Sequence, residues 1–82
     1  MSLDSKMKNK VNTIVANVFN VAIDDINKDS SPATVGDWDS LGQLSLIQSI
    51  ELKFNITMEI NEIFSILKVE DIYNILQKRD IS

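Results

Sequence analysis

The residues best suited to chemistry in this chain lie together in segment 37–43, which has the sequence DWDSLGQ. Ser40 stands at the start of a stretch with helical periodicity, so its hydroxyl would lie at a helix N-terminus. Backbone N–H groups and the helix dipole favour an attached phosphate there. Ser40 is also followed three residues later by Gln43, which fits a capping box in which the serine only satisfies backbone donors. The segment alone leaves both interpretations open.

Other kinds of catalytic or metal chemistry find little support. The 82 residues include no histidine and no cysteine, which excludes disulfides, cysteine–histidine zinc sites and histidine acid–base catalysis. Two pairs of aspartates, at positions 24 and 25 and at 37 and 39, lie in a polar stretch typical of solvated turns. Residues 24–39 lack the ligand spacing of an EF-hand calcium loop, and only weak binding of a divalent ion is left open. We therefore expect no catalysis by the chain itself.

The composition limits the class of protein. Eight basic and twelve acidic residues give a net charge of −4, which argues against binding to a nucleic acid backbone. No apolar run approaches the ~20 residues that span a bilayer, and no signal-peptide segment opens the chain. The length predicts a single domain over residues 1–82 with its core in about 6–79. Residues 1–3 are given no weight, since so short a start can be a remnant of expression. We expect a soluble, cytoplasmic monomer.

Helices must position Ser40, and the apolar residues recur at helical spacing in four places. The predicted helices cover residues 6–20, 40–54, 59–65 and 69–79. Asp4 or Ser5 is expected to cap the first of them. The connection 21–39 has no sustained period and is rich in turn formers. Four apolar residues in it predict an ordered loop that folds back over the core: Ile23, Ile26, Val35 and Trp38. The prediction is an all-α bundle of three main helices and one short helix, with a long loop between the first two.

The second predicted helix carries more apolar residues than one face can bury. At about 100° per residue, Leu46, Ile47, Ile50 and Phe54 share one arc, which we assign to the core. A separate arc holds Leu41, Leu44 and Leu52. These leucines would either pack under the long loop, lie exposed, or contact a partner. We expect Trp38 to anchor the loop on the core.

In this context segment 37–43 resembles a known signature. Asp39-Ser40-Leu41 follows a long acidic loop, opens a helix that runs to Phe54, and precedes a short helix and a last helix. Over about residues 6–79 this resembles the acyl carrier protein family, which includes peptidyl and D-alanyl carriers. The resemblance implies a four-helix bundle in which Ser40 is esterified by 4'-phosphopantetheine. A magnesium-dependent phosphopantetheinyl transferase would take that arm from coenzyme A, and its thiol would hold acyl or aminoacyl groups as thioesters.

The resemblance also implies roles for further residues. Asp39 would help the transferase to recognise the chain and would cap the helix. Contacts with acyl- or aminoacyl-loading and transferring enzymes would fall to Leu41, Leu44, Gln48, Leu52 and Glu62. The bundle core would be formed by Val11, Ile14, Val15, Val18, Leu46, Ile47, Ile50, Phe54, Ile63, Ile72 and Leu76.

Three departures from the family pattern refine these expectations. The helix after Ser40 carries only Glu51, offset by Lys53, where carriers of fatty acid synthesis usually have several carboxylates; a specialised biosynthetic pathway is therefore favoured. Gly42 costs up to about 1 kcal/mol of helix stability relative to alanine; it either allows close approach at the arm or is incidental, and the second interpretation is favoured. Lys68 replaces the usual cap of the last helix, which should start less firmly. The alternative function is a small helical adaptor without a cofactor, which would bind partners through its exposed leucines.

Overall fold

The computed structural model describes residues 5–79. Within them the chain forms helices α1 (Ser5–Phe19), α2 (Ser40–Phe54), α3 (Ile60–Ser65) and α4 (Val69–Lys78), with a 3-10 turn at Ile23–Asp25. No strand occurs in that range. This confirms the predicted all-α bundle of three main helices and one short helix, with a long loop between α1 and α2. Ser5 lies within α1, so it is not the cap of that helix. The other proposed cap, Asp4, and the segment 1–3 lie outside the described residues.

The core is built from the apolar faces of α1, α2 and α4. Residues at four-residue steps of α1 are buried, and so are the three apolar positions 46, 47 and 50 of α2. The largest fully buried side chains are Leu46, Ile50, Ile72, Leu76, Val11, Val15 and Val69. Each such side chain contributes about 1.5–3 kcal/mol relative to exposure to water. The predicted core residues Ile14, Val18, Phe54 and Ile63 are only partly buried and pack against this cluster.

The long loop packs on the core through three of the four residues predicted to do so. Ile26, Val35 and Trp38 are buried. Ile23 instead starts the 3-10 turn and stays 39% exposed, because Ile26 makes the core contact at this point of the loop. The loop is therefore an ordered part of the bundle, as its apolar residues predicted.

The same loop also completes the start of α4. The backbone N–H of Val69 donates to the carbonyl of Ser30, and that of Glu70 donates to the carbonyl of Lys28, both at 2.9 Å. The Asp71 carboxylate accepts from the N–H of Lys68 at 3.1 Å. The expectation of a loosely started last helix is therefore wrong: Lys68 provides no side-chain cap, but loop carbonyls accept from the N–H groups that such a cap would otherwise serve.

Helix α2 ends at Phe54, and Asn55 caps it and directs the chain toward α3. Asn55 adopts the left-handed conformation (φ 54°, ψ 51°), and its N–H donates to the carbonyl of Glu51. Asparagine tolerates this conformation better than most residues. The Glu51 carboxylate then accepts from the N–H of Met58 at 2.8 Å, so the short crossing between α2 and α3 is fixed at both ends.

Candidate functional site

Ser40 is the first residue of α2, and its neighbour Asp39 caps the helix. The Asp39 carboxylate accepts from the N–H of Gly42 at 2.8 Å, and the Asp39 carbonyl accepts from the N–H of Gln43 at the same distance. Ser40 is exposed, and its hydroxyl makes no hydrogen bond within residues 5–79. Of the two interpretations left open for Ser40, the capping box with Gln43 is not formed. Asp39 caps the helix, as the resemblance implied, and the serine hydroxyl is left free to react.

Gln43 makes contacts that no local pattern predicts. Its side-chain oxygen accepts from the Trp38 indole N–H at 2.6 Å, and its side-chain nitrogen donates to the Ile63 carbonyl at 3.1 Å. Trp38 is 3% exposed and stacks on Phe19 with ring centroids 5.3 Å apart. Trp38 is thus the loop anchor that the sequence predicted. The segment leading to Ser40 rests on a buried aromatic pair.

Gly42 has a steric reason to be glycine. A Cβ added there would lie 2.4 Å from the Asp37 carbonyl oxygen and 2.7 Å from Cε1 of Phe19. Both distances are too short for a carbon atom, and one partner is backbone. The interpretation of Gly42 as incidental is wrong, because glycine lets the loop before Ser40 cross the first turn of α2 at close range.

An apolar groove of about 720 Å³ lies beside Ser40, between α2 and α3. Its lining includes Trp38, Asp39, Gln43, Leu44, Ile60 and Phe64. Ile60 and Phe64 are 70% and 78% exposed, large values for such side chains. Neither residue was predicted from the sequence to belong to the site. The sequence did contain a signal for them: α3 has more apolar residues than so short a helix can bury.

The second apolar arc of α2 is exposed. Leu41, Leu44 and Leu52 are 77%, 56% and 84% exposed, so the interpretation that the long loop covers them is wrong. Leu41 and Leu44 lie within about one turn of Ser40. Leu52 follows Ser40 by twelve residues, which places it ~18 Å further along the helix axis. Gln48 is also exposed, between them. The predicted partner residues on α2 are thus accessible, but only the first two adjoin Ser40.

Glu62 is engaged within the fold. Its carboxylate pairs with the Arg79 guanidinium, with one contact at 3.3 Å, and accepts from the N–H of Glu59 at 3.0 Å. Arg79 also donates to the Thr57 carbonyl at 2.8 Å, so the end of α4 holds both α3 and the segment before it. The hydrogen bond from Arg79, followed by that from Glu59, lowers the pKa of the Glu62 carboxyl. Glu62 therefore has an internal role that the prediction of a partner contact did not include.

This ion pair predicts a specific response to acid. Because the folded-state pKa of Glu62 is lowered, its stabilising effect is complete above the ordinary glutamate range near ~4.3 and is lost as the pH falls through the lowered value. We expect the Arg79→Gln variant to raise the pKa of Glu62 toward that ordinary value, as measured from the side-chain carboxyl ¹³C shift. Lys53→Gln removes an exposed lysine from α2 and should leave the titration in place. An unchanged Glu62 titration in Arg79→Gln would mean that the pair does not form in solution.

The remaining acidic residues in the described part of the chain do not gather into a metal site. Within residues 5–79 no three Asp or Glu side chains are grouped so that they could hold a metal ion. In the same range no helix has the length and apolar character needed to cross a membrane.

Comparison with known proteins gives one positive result. The family model described as a phosphopantetheine attachment site matches residues 9–76, which is most of the chain and includes all of α2, α3 and the groove. A search of curated proteins finds no significant match.

Proposed function

Because the chain belongs to the family of phosphopantetheine attachment domains, we propose that Ser40 is the residue that bears the arm. Domains of this family hold 4'-phosphopantetheine covalently, so the protein is a carrier. The observation that carries the assignment is the exposed Ser40 hydroxyl at the first position of α2, left without a hydrogen bond because Asp39 caps the helix. In the modification, the Ser40 oxygen forms a bond to phosphorus and loses its proton, while adenosine bisphosphate leaves coenzyme A.

The surroundings of Ser40 fit such an arm. The N-terminus of a helix stabilises a nearby phosphate by about 0.3–1 kcal/mol. The apolar groove starts at Ser40 and offers a wall of Leu44, Ile60 and Phe64 beside the attached chain. The arm supplies a thiol, a group that this cysteine-free chain lacks.

Asp39 has a second proposed role. One of its carboxylate oxygens accepts from Gly42, and the residue is exposed. Its other oxygen makes no hydrogen bond within residues 5–79. That oxygen supports the proposal that the phosphopantetheinyl transferase, which uses magnesium, recognises Asp39 as it modifies Ser40.

Intact-protein mass spectrometry tests the function. Wild-type protein incubated with coenzyme A and a phosphopantetheinyl transferase should gain the mass of one phosphopantetheinyl group, and peptide mapping should locate it on Ser40. A chain that several competent transferases all leave unmodified would favour the adaptor without a cofactor, which would act through Leu41, Leu44 and Leu52.

The exposed face of α2 supports a proposal about the partner enzymes. Leu41, Leu44, Gln48 and Leu52 form an uncharged, exposed ridge, and the one carboxylate of α2, that of Glu51, accepts from the N–H of Met58. Apolar side chains on the partner would complement this ridge better than a cluster of arginines or lysines. We place the protein in a specialised cytoplasmic pathway, where it receives an acyl or aminoacyl group and delivers it to further enzymes without catalysing the reaction itself.

Leu44→Asp should separate docking from folding. Leu44 is 56% exposed at the edge of the groove. The change should therefore alter the free energy of unfolding by no more than about ±0.5 kcal/mol, the range typical of surface substitutions, and the melting temperature should change little. Loading by a cognate enzyme should fall at least tenfold, since a carboxylate would enter the apolar contact. Ser45→Asp adds the same charge one residue away, at an exposed position that does not line the groove, and should load nearly as well as wild type. Unfolding of Leu44→Asp would instead place this leucine in the core.

A further inference from the structure

Helix α3 forms one wall of the groove beside Ser40, yet it has few core contacts. Its six residues include no fully buried side chain, and only Ile63 packs against the core cluster. An isolated helix of this length is unstable in water. Its position must therefore depend on the few specific contacts that reach it from neighbouring elements.

Two polar contacts reach α3 from different sides. The Arg79 guanidinium holds Glu62 from the end of α4. The Gln43 side chain holds the carbonyl of Ile63 from the first turn of α2, at 3.1 Å. Gln43 and Ile63 both line the groove, so this second contact joins α2 to α3 at the groove itself.

The Gln43 side-chain amide also makes a hydrogen bond to the segment before Ser40. Its oxygen accepts from the indole N–H of Trp38, two residues before Ser40, at 2.6 Å. One side chain thus joins the segment that leads to Ser40, the first turn of α2 and the end of α3. An amide suits this bridge because the Trp38 side requires an acceptor and the Ile63 side requires a donor, and the Gln43 side chain carries both.

We propose that Gln43 is a positioning residue that holds α3 at a fixed distance from Ser40. The enzymes that modify or load the carrier then meet Leu44, Ile60 and Phe64 as a preformed surface rather than one that must be ordered on docking. This inference rests on the proposed function for its effect on enzymes, but not for the bridge itself. The Asp39 contacts that cap α2 use the backbone N–H groups of Gly42 and Gln43 and not the Gln43 side chain, so Ser40 should remain reactive when the bridge is broken.

Substitution by glutamate separates the two halves of the bridge. Gln43→Glu keeps an acceptor for Trp38 but replaces the donor to Ile63 with an oxygen, so the link to α3 is lost. Gln43→Leu removes both links at similar volume. For the exchange measurement below, Gln48→Leu is the matched control, since Gln48 is an exposed glutamine of α2 without a hydrogen bond from its side chain within residues 5–79.

Amide hydrogen exchange tests directly whether the Gln43 side chain stabilises α3. We expect exchange of the hydrogen-bonded amides at 63–66 to rise roughly tenfold in Gln43→Glu, as for the loss of one hydrogen bond, while amides of α1 and α4 keep their wild-type rates. Gln43→Leu should show the same local increase, and Gln48→Leu none. An unchanged rate at 63–66 in both Gln43 variants would overturn the proposal. So would an equal increase across α1 and α4, because that would show a general loss of stability.

Transferase kinetics then test the consequence. In Gln43→Glu the KM for the carrier should rise several-fold while kcat stays close to wild type, because docking is impaired and Ser40 is not. A fall in kcat with unchanged KM would contradict the positioning role. The exchange measurement needs no arm, so a chain that is never modified would refute the proposed function while the exchange rates still decide the bridge.

Discussion

Replacing Ser40 with alanine is expected to abolish phosphopantetheine attachment completely. The change removes the only oxygen that the proposal assigns to the new phosphate ester, and intact mass after incubation with coenzyme A and a transferase would show no added group. Because the Ser40 hydroxyl makes no hydrogen bond within residues 5–79, the melting temperature should change little, within about ±0.5 kcal/mol of unfolding free energy.

Ser45 provides the matched control for this result. It is a second exposed serine of α2, but it lies in the middle of the helix, away from the N-terminal N–H groups and their dipole. Ser45→Ala should be modified at the wild-type rate. If Ser40→Ala acquires the arm as fully as wild type, the assignment of the site is wrong even though the family is right.

Gly42→Ala is expected to destabilise the protein, against the usual effect of replacing a glycine inside a helix. Alanine favours helices over glycine by up to about 1 kcal/mol. The added methyl would, however, lie 2.4 Å from the Asp37 carbonyl and 2.7 Å from the Phe19 ring, and overpacking of this kind costs about 1–3 kcal/mol. We expect a net loss of about 1–2 kcal/mol, or roughly 5–15 °C in melting temperature for a domain of this size.

Gly36 tests whether the effect comes from contact rather than from glycine as such. Nothing lies within 4 Å of a Cβ built at Gly36, and no glycine has a positive φ in the described chain. Gly36→Ala should therefore be neutral or stabilising by about 0.4–1 kcal/mol through the unfolded state. Equal melting temperatures for the two variants would mean that the first turn of α2 can move away from the loop at little cost.

The sequence predicted those features that depend on local periodicity. The positions at which apolar residues recur along the chain account for three features. These are the ranges of α1, α2 and α4, the burial of Leu46 and Ile50, and the docking of the long loop through Trp38. Hydrophobic spacing determines which face of an element turns inward, and this information is contained in short windows of sequence.

Local patterns did not predict the contacts that helix packing creates between elements. The capping-box interpretation, which the sequence left open, would confine Gln43 to its own helix turn, but Gln43 reaches Ile63, twenty residues away. Gly42 was judged by helix propensity, whereas the Asp37 carbonyl and the Phe19 ring decide its cost. Glu62 was predicted to contact partner enzymes, and its ion pair with Arg79 from the end of α4 was not foreseen. A single sequence does not show which distant polar groups the packing of helices will bring together.

The aromatic stack below Ser40 has a practical consequence. Trp38 is the only tryptophan in the chain, it is buried on Phe19, and its indole lines the groove. The protein therefore contains a built-in optical probe two residues from the proposed attachment point. Its emission depends on the polarity around one ring, so a change at Ser40 or in the groove can be followed in real time on the unlabelled molecule.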